Sequence, residues 1–258
     1  MSEPAFQRVD DLHGFERAAN VLVIGVSGGI GRAFVEALLP MPSVAKVVAA
    51  SRSDVAFAHD KLHAESVDVT DIASCQRLAK RLEERLDQLD LVIFAAGLLH
   101  DEQVGIRPER QIKQVEPEAI ERVFQVNTFA LAYLARTLAD LLPKRGRGVW
   151  ANLSARVGSI GDNRLGGWTS YRAAKAAQNM ITRNLAIEWG RRNREMTVLA
   201  LHPGTTDTAL SKPFQANVPE HKLFSPERVA HQLLGVINAH DGKDSGGFYD
   251  WADTKVEW

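Results

Sequence analysis

Cysteine is almost absent: one thiol, Cys75, occurs in 258 residues. A single cysteine excludes an internal disulfide and suits a reducing compartment. Cys75 falls within a helical pattern, so an inert helix residue is the expected reading. An excess of either charge is missing too, with 31 basic residues against 32 acidic ones and a formal net charge of -1. That balance offers no electrostatic reason to expect nucleic acid or an anionic membrane as partner. No apolar run reaches the ~18 residues of a membrane span. Residues 1–20, MSEPAFQRVDDLHGFERAAN, are too polar and acidic for a signal peptide. A cytoplasmic protein is the expectation. A metal site has no support: His59 and His63 have helical spacing, but no third ligand lies in reach by sequence.

What is present is an alternation. Short apolar runs at 21–25, 46–50, 67–69, 89–95, 148–153 and 196–202 read as buried strands. Between and after them, helical periodicity covers 30–39, 72–86, 117–142, 171–192 and 226–239. Strand alternating with helix at this spacing predicts a doubly wound α/β fold, a mainly parallel sheet with helices on both faces. One domain over 1–258 is expected, with 1–20 as a polar leader. In such sheets ligands bind beyond the carboxyl ends of the strands. The chemically unusual residues fall there: glycines after the first strand, Ser51 and Arg52 after the second, Ser154 after the fifth.

The segment GVSGGIGRAF leads from the first strand into a helix. Gly25 permits a tight exit, Gly29 lets backbone approach a phosphate, and Gly31 lets the helix pack near the sheet. The helix N-terminus then presents unpaired N–H groups to a pyrophosphate. The Gly–x–x–x–Gly–x–Gly spacing resembles that of short-chain dehydrogenases/reductases. For the cofactor, the second strand ends in Ser51 and Arg52 with no acid. A carboxylate would repel a 2′-phosphate, whereas Arg52 binds one by charge-assisted hydrogen bonds. That favours NADP(H) over NAD(H); the alternative is that Arg52 is a solvated loop residue.

Tyr171 and Lys175 lie four apart at the start of a helix, on one face. A phenol titrates near ~10, and a neighbouring ammonium lowers that value by stabilising phenolate. The pair is the acid–base equipment a carbonyl reductase needs. With it the resemblance to short-chain dehydrogenases/reductases extends over nearly the whole chain; the segment GSIGDNRLGGW before Tyr171 and the tail GGFYDWADTKVEW narrow it, within them, to the C-factor and sniffer-type carbonyl reductases. The resemblance implies Tyr171 as general acid/base, Lys175 as its tuner and a ribose ligand, and Asn127 as holder of a relay water. It also implies cofactor contacts from Ser27, Gly28 and Ile30, from Asp68 and Val69, from Ala96 and Gly97, and from Pro203, Gly204, Thr206 and Thr208. Many family members pair through the two long helices, and relatives in the carbonyl-reductase branch need not, so the resemblance is compatible with a homodimer or homotetramer without requiring one. A small carbonyl or alcohol is the implied substrate, and a C-factor-like NADP(H) sensor with little turnover is the second reading.

The family places a substrate-binding serine after the fifth strand. Laid without gaps on that pattern, NLSARVG puts Ala155 in the position, with Ser154 beside it and Ser159 further on. Ser154 is favoured if the strand bulges; Ser159, or no serine at all, are the alternatives. The insert GSIGDNRLGGW before Tyr171 brings Asp162, Asn163, Arg164 and Trp168 as candidates for the substrate mouth, or as residues that only pin the insert.

Overall fold

The computed structural model describes residues 6–53 and 59–258; the first five residues of the expected leader lie outside it. Ala19–Ile24 (β1) is buried along its whole length, as a strand covered on both faces should be. Its side chains alternate between two apolar clusters, Val21 and Val23 in one, Leu22 and Ile24 in the other. Val44–Ser51 (β2) divides in the same way, Val47 and Ala49 against Val48 and Ala50. Two cores result, one on each face of a shared sheet. Helices Gly29–Leu38 (α1) and Pro226–Ala239 (α6) fill the first. Helices Ile72–Glu83 (α2), Ala130–Leu138 (α4) and Thr169–Arg192 (α5) contribute to the second.

The remaining elements follow in chain order. They are Leu62–Ser66 (β3), Leu91–Phe94 (β4), Pro117–Phe124 (α3), Gly148–Leu153 (β5), Met196–His202 (β6), Thr205–Thr206 (β7), Leu223–Phe224 (β8) and Gly247–Asp250 (β9). Among the described residues seven strands form one sheet in the order β3-β2-β1-β4-β5-β6-β9, every pair parallel. β7 and β8 form a separate two-stranded ribbon. The strand order turns back at β1, which lies between β2 and β4, so a crevice opens beyond the carboxyl ends of those strands.

Three expectations change. The third strand is Leu62–Ser66, not 67–69; its sequence LHAES alternates with polar residues because it is an edge strand with one partner. Val67 and Val69 instead follow its carboxyl end. The expected helix 117–142 is interrupted by a π-helical turn at Gln125–Phe129, where the side-chain period hides a change of backbone hydrogen bonding. A seventh strand, β9, extends the sheet beside β6 and is too short, at four residues, to leave a periodic signal.

Cys75 is fully buried in the second core. Among the described residues no helix is long and apolar enough to cross a membrane, and no group of three His, Cys, Asp or Glu side chains is placed to hold a metal. Trp150 of β5 is wholly buried and meets Trp189 of α5 edge-on, centroids 5.3 Å apart. Truncating a large buried aromatic costs about 3–5 kcal/mol. Trp150→Ala is therefore expected to lower the urea unfolding free energy by about that amount, while Trp189, 8% exposed, is the milder site.

Candidate active site

β1 ends and the chain turns at Gly25, whose φ of +92° belongs to glycine. A Cβ there would also lie 2.6 Å from the Ala96 backbone nitrogen. At Gly31 a Cβ would lie 2.4 Å from the Gly25 carbonyl oxygen. The first turn of α1 therefore packs against the strand exit. The helix has no side-chain cap and no acid in its first turn, so its leading N–H groups face the crevice with a positive dipole end.

At the β2 side, Arg52 and Asp68 line the same crevice. Burial works to raise the Asp68 pKa, but hydrogen bonds from the Thr70 amide (2.9 Å) and hydroxyl (2.7 Å), with Arg52 and Arg122 nearby, hold it below the usual carboxylate range. Arg122 comes from α3 and donates to Thr70 Oγ1 at 3.4 Å and to Gln125 Oε1 at 3.2 Å. It was not predicted, since nothing local marks one arginine of a helix as facing a strand exit about fifty residues away.

At the other end α5 brings Tyr171 and Lys175 together. Lys175 is 2% exposed; its ammonium donates to the Leu153 carbonyl at 2.8 Å and to Gln178 Oε1 at 3.0 Å. Burial pulls its pKa down to about 7 and pushes the Tyr171 phenol well above its ordinary range. Lys175 Nζ lies 5.7 Å from the Tyr171 ring centroid. The N-terminus of α5 is held by Glu109, whose carboxylate accepts from the Ser170 hydroxyl and amide.

Both candidate serines are hydrogen-bonded within the protein. Ser154 Oγ donates to Asn179 Oδ1 at 2.6 Å, and both residues are buried. Ser159 Oγ accepts from the Asp162 amide at 3.1 Å. Ala155 packs against the apolar cluster containing Tyr171, together with Leu99, Ile106, Val157, Trp168 and Phe214. Within the insert, Asp162 pairs with Arg156 at 2.6 Å and Arg164 donates to the Gly161 carbonyl at 2.7 Å, so these two brace the loop. Trp168 instead joins the wall, edge-on to Tyr171 and to Phe214.

One cleft of about 440 Å³ gathers most of the sequence-derived site. Gly25, Ser27, Gly28, Gly29, Ile30, Gly31, Ser51, Arg52, Asp68, Val69, Ala96, Gly97, Ser154, Tyr171, Lys175, Pro203 and Thr208 line it. Asn127, Gly204 and Thr206 do not. Asn127 sits in the π turn, donates to the carbonyls of Leu98 (2.7 Å) and Val123 (2.9 Å), and accepts from the Leu98 amide. Gly204, at φ +71°, packs under Phe224 and Trp251, and the Thr206 hydroxyl is buried without a partner. His100, which also lines the cleft, reaches the carbonyls of Ala209 (3.2 Å) and Leu210 (3.1 Å) through Nε2, the proton-bearing nitrogen if these are hydrogen bonds.

Known proteins resemble this chain in sequence and fold. A solved NADPH-bound carbonyl reductase from chicken fatty liver superposes with a TM-score of 0.82 at 27% identity, covering 94% of this chain and 100% of that one. A 1-hydroxy-2-glutathionyl-2-methyl-3-butene dehydrogenase of Rhodococcus sp. is 34% identical over 193 residues, 74% of this chain and 78% of the relative. The C-signal of Myxococcus xanthus is 36% identical over 140 residues, 53% of this chain and 77% of that protein. The family model of short chain dehydrogenases matches residues 19–219, from β1 through the segment after β7, and the chain belongs to that family of nicotinamide-dependent oxidoreductases.

Proposed function

We propose that the protein is an NADPH-dependent reductase of small carbonyl compounds, with Tyr171 as general acid and Lys175 as the cation that tunes it. The juxtaposition of Tyr171 and Lys175 in the cleft that the glycine turn also lines carries this reading. A dinucleotide fits the residues present, since a Cβ at Gly31 would collide with backbone in the cradle. The Gly25–Gly31 turn would hold the pyrophosphate, Asp68 the adenine end, Arg52 the 2′-phosphate and Lys175 the nicotinamide ribose. When bound, the reduced nicotinamide supplies hydride to the carbonyl carbon. The chicken carbonyl reductase supports NADPH as the partner.

Burial favours the neutral phenol, so Tyr171 enters the reaction protonated and suited to donate. As its proton moves to the substrate oxygen, negative charge grows on the phenol, and the ammonium of Lys175 stabilises it in a desolvated setting. The amide of Asn127 is occupied by Leu98 and Val123; we assign it to holding the loop after β4 in place of a water relay by its side chain. Two cores on one sheet support a single domain. Exposed Phe129, Met180 and Ile187 support pairing with a second copy. The likeness to C-signal, together with the committed proton of Ser154, supports a second reading, an NADP(H) sensor with little turnover.

Loss of reduced-nicotinamide absorbance with a panel of activated carbonyls separates the two. The reductase reading expects turnover, a fall of about 10²–10⁴-fold in Tyr171→Phe, and intact NADPH binding in that variant. Binding without turnover across the panel would instead support the sensor. Arg52→Glu is expected to reverse the coenzyme preference, weakening NADPH by at least about tenfold while sparing NADH, because a carboxylate repels the 2′-phosphate.

Lys175 also makes a stability prediction. Its folded pKa, about 7, lies below the ordinary 10.5, so between these values the unfolded chain binds a proton that the folded chain does not. Stability from this group therefore rises with pH across the window and is lost as pH falls to 7. Relative to Lys175→Met, the wild type should gain unfolding free energy between pH 7 and pH 10.5 in urea titrations; parallel curves for the two proteins would contradict it.

A further inference from the structure

We infer that Glu109, in the loop after β4, is a positioning residue for Tyr171: it caps α5 from outside the helix and thereby fixes where the phenol stands. The inference rests on the reductase reading and adds to it a residue that belongs to neither the glycine turn nor the Tyr171–Lys175 pair.

The helix that carries Tyr171 begins without a cap of its own. An N-cap is normally an extended residue with a short polar side chain. Here the position belongs to Trp168, in the left-handed region at φ +50° and ψ +40°, with no side-chain hydrogen bond to the helix. Gly166 and Gly167 lead into it at φ +63° and +65°. This backbone sets the Trp168 ring edge-on to Tyr171 and leaves the N–H groups of the first turn to another element. Glu109 meets them twice. Its carbonyl oxygen accepts from the Trp168 amide at 2.5 Å, and its carboxylate accepts from the Ser170 amide at 3.3 Å and from the Ser170 hydroxyl. Glu109 is 5% exposed and has no ion-pair partner among the described residues, so its charge is met by the positive end of α5. A serine or aspartate at 168 would cap the helix without burying a carboxylate, but it would remove the tryptophan.

Glu109 is itself held on both sides. Before it, Asp101 and Ile106 exchange backbone hydrogen bonds at 2.9 and 2.8 Å, and Ile106 is buried in the cluster that contains Tyr171. After it, the amides of Arg110 and Gln111 donate to Gln114 Oε1 at 2.8 and 3.2 Å. Lys175, one turn along α5, is fixed separately by the Leu153 carbonyl and Gln178. Glu109 therefore sets Tyr171 relative to a lysine that does not depend on it. A misplacement of about 1 Å at a reacting group can cost about 10²-fold in rate, and Ser170 is the residue next to Tyr171.

The test follows NADPH-linked turnover of a carbonyl that the wild type reduces. Glu109→Ala is expected to lower kcat by about 10²-fold and to leave the KM for NADPH unchanged, because the glycine turn and Arg52 are untouched. Glu109→Gln is expected to recover most of the rate, its amide oxygen accepting from the Ser170 amide and its amide nitrogen donating to the Ser170 hydroxyl. The deciding background is Tyr171→Phe. There Glu109→Ala should change the residual turnover by at most about twofold, because two changes that act through one group do not add, whereas a general loosening of the fold lowers both backgrounds alike. Should Glu109→Ala not fold, Ser170→Ala carries the same comparison, with a fall of about tenfold where Tyr171 is present and none where it is absent. Amide hydrogen exchange needs no turnover. The Ser170 amide should exchange at least about tenfold faster in Glu109→Ala than in wild type, with the amides of Gln178 to Thr182 unchanged. Equal losses in the two backgrounds, a Glu109→Ala variant as active as wild type, or an unchanged Ser170 amide would overturn the inference and leave the reductase reading standing on wild-type turnover. A wild type inert to every carbonyl would instead sink the reductase reading, while the exchange rates still decide whether Glu109 holds the turn.

Discussion

An ammonium group enclosed by protein is the constraint around which the rest of the site is arranged. Lys175 loses its water, which disfavours its charge, and the fold offsets part of that loss with the Leu153 carbonyl and Gln178. To bring Nζ within 2.8 Å of Leu153, α5 must run hard against the end of β5. The connection passes through Gly158, where a Cβ would lie 2.8 Å from the Lys175 Cβ. On its other side α5 is tied to the π turn, since the Thr128 hydroxyl donates to the Ala174 carbonyl at 2.8 Å. Helix, strand end and π turn therefore share one geometry.

The cleft has two electrical characters. Around Asp68 it carries Arg52 and Arg122, guanidinium groups on different elements that both lower the Asp68 pKa. Near Tyr171 it has an apolar side, lined by Leu98, Leu99 and Leu210, backed by the cluster in which Tyr171 packs with Ile106 and Trp168. A long ligand with an anionic end and a flat uncharged end meets one favourable orientation in such a cleft. The glycine turn lies between them, where backbone alone makes the contact.

Much of this was legible in the chain because burial on both faces leaves an unbroken apolar run. β5, β6 and α6 begin and end where the pattern changes. β3 was misplaced because an edge strand needs one apolar face only, and Val67 and Val69 beyond it looked more like a strand than LHAES did. The π turn was hidden because the spacing of side chains continues through it while the backbone pairing does not. At the site, the glycine turn and the Tyr171–Lys175 pair are local motifs, readable within a few residues. The direction of the Ser154 hydroxyl is not local: it depends on Asn179, 25 residues on and on another element. Arg122 is set by the same kind of long-range contact, and so are the three hydrogen bonds of the Asn127 side-chain amide to Leu98 and Val123.

The lone cysteine has a practical side. Cys75 is sealed in the core beneath α2, and burial, aided by Asp71 and Asp68, pushes its thiol up to about 11. At neutral pH almost none of it is thiolate, and only thiolate attacks alkylating reagents. The native chain is thus nearly silent to thiol chemistry. A cysteine introduced on any exposed loop would be the one reactive handle, ready for a fluorophore or spin label without first removing a native residue.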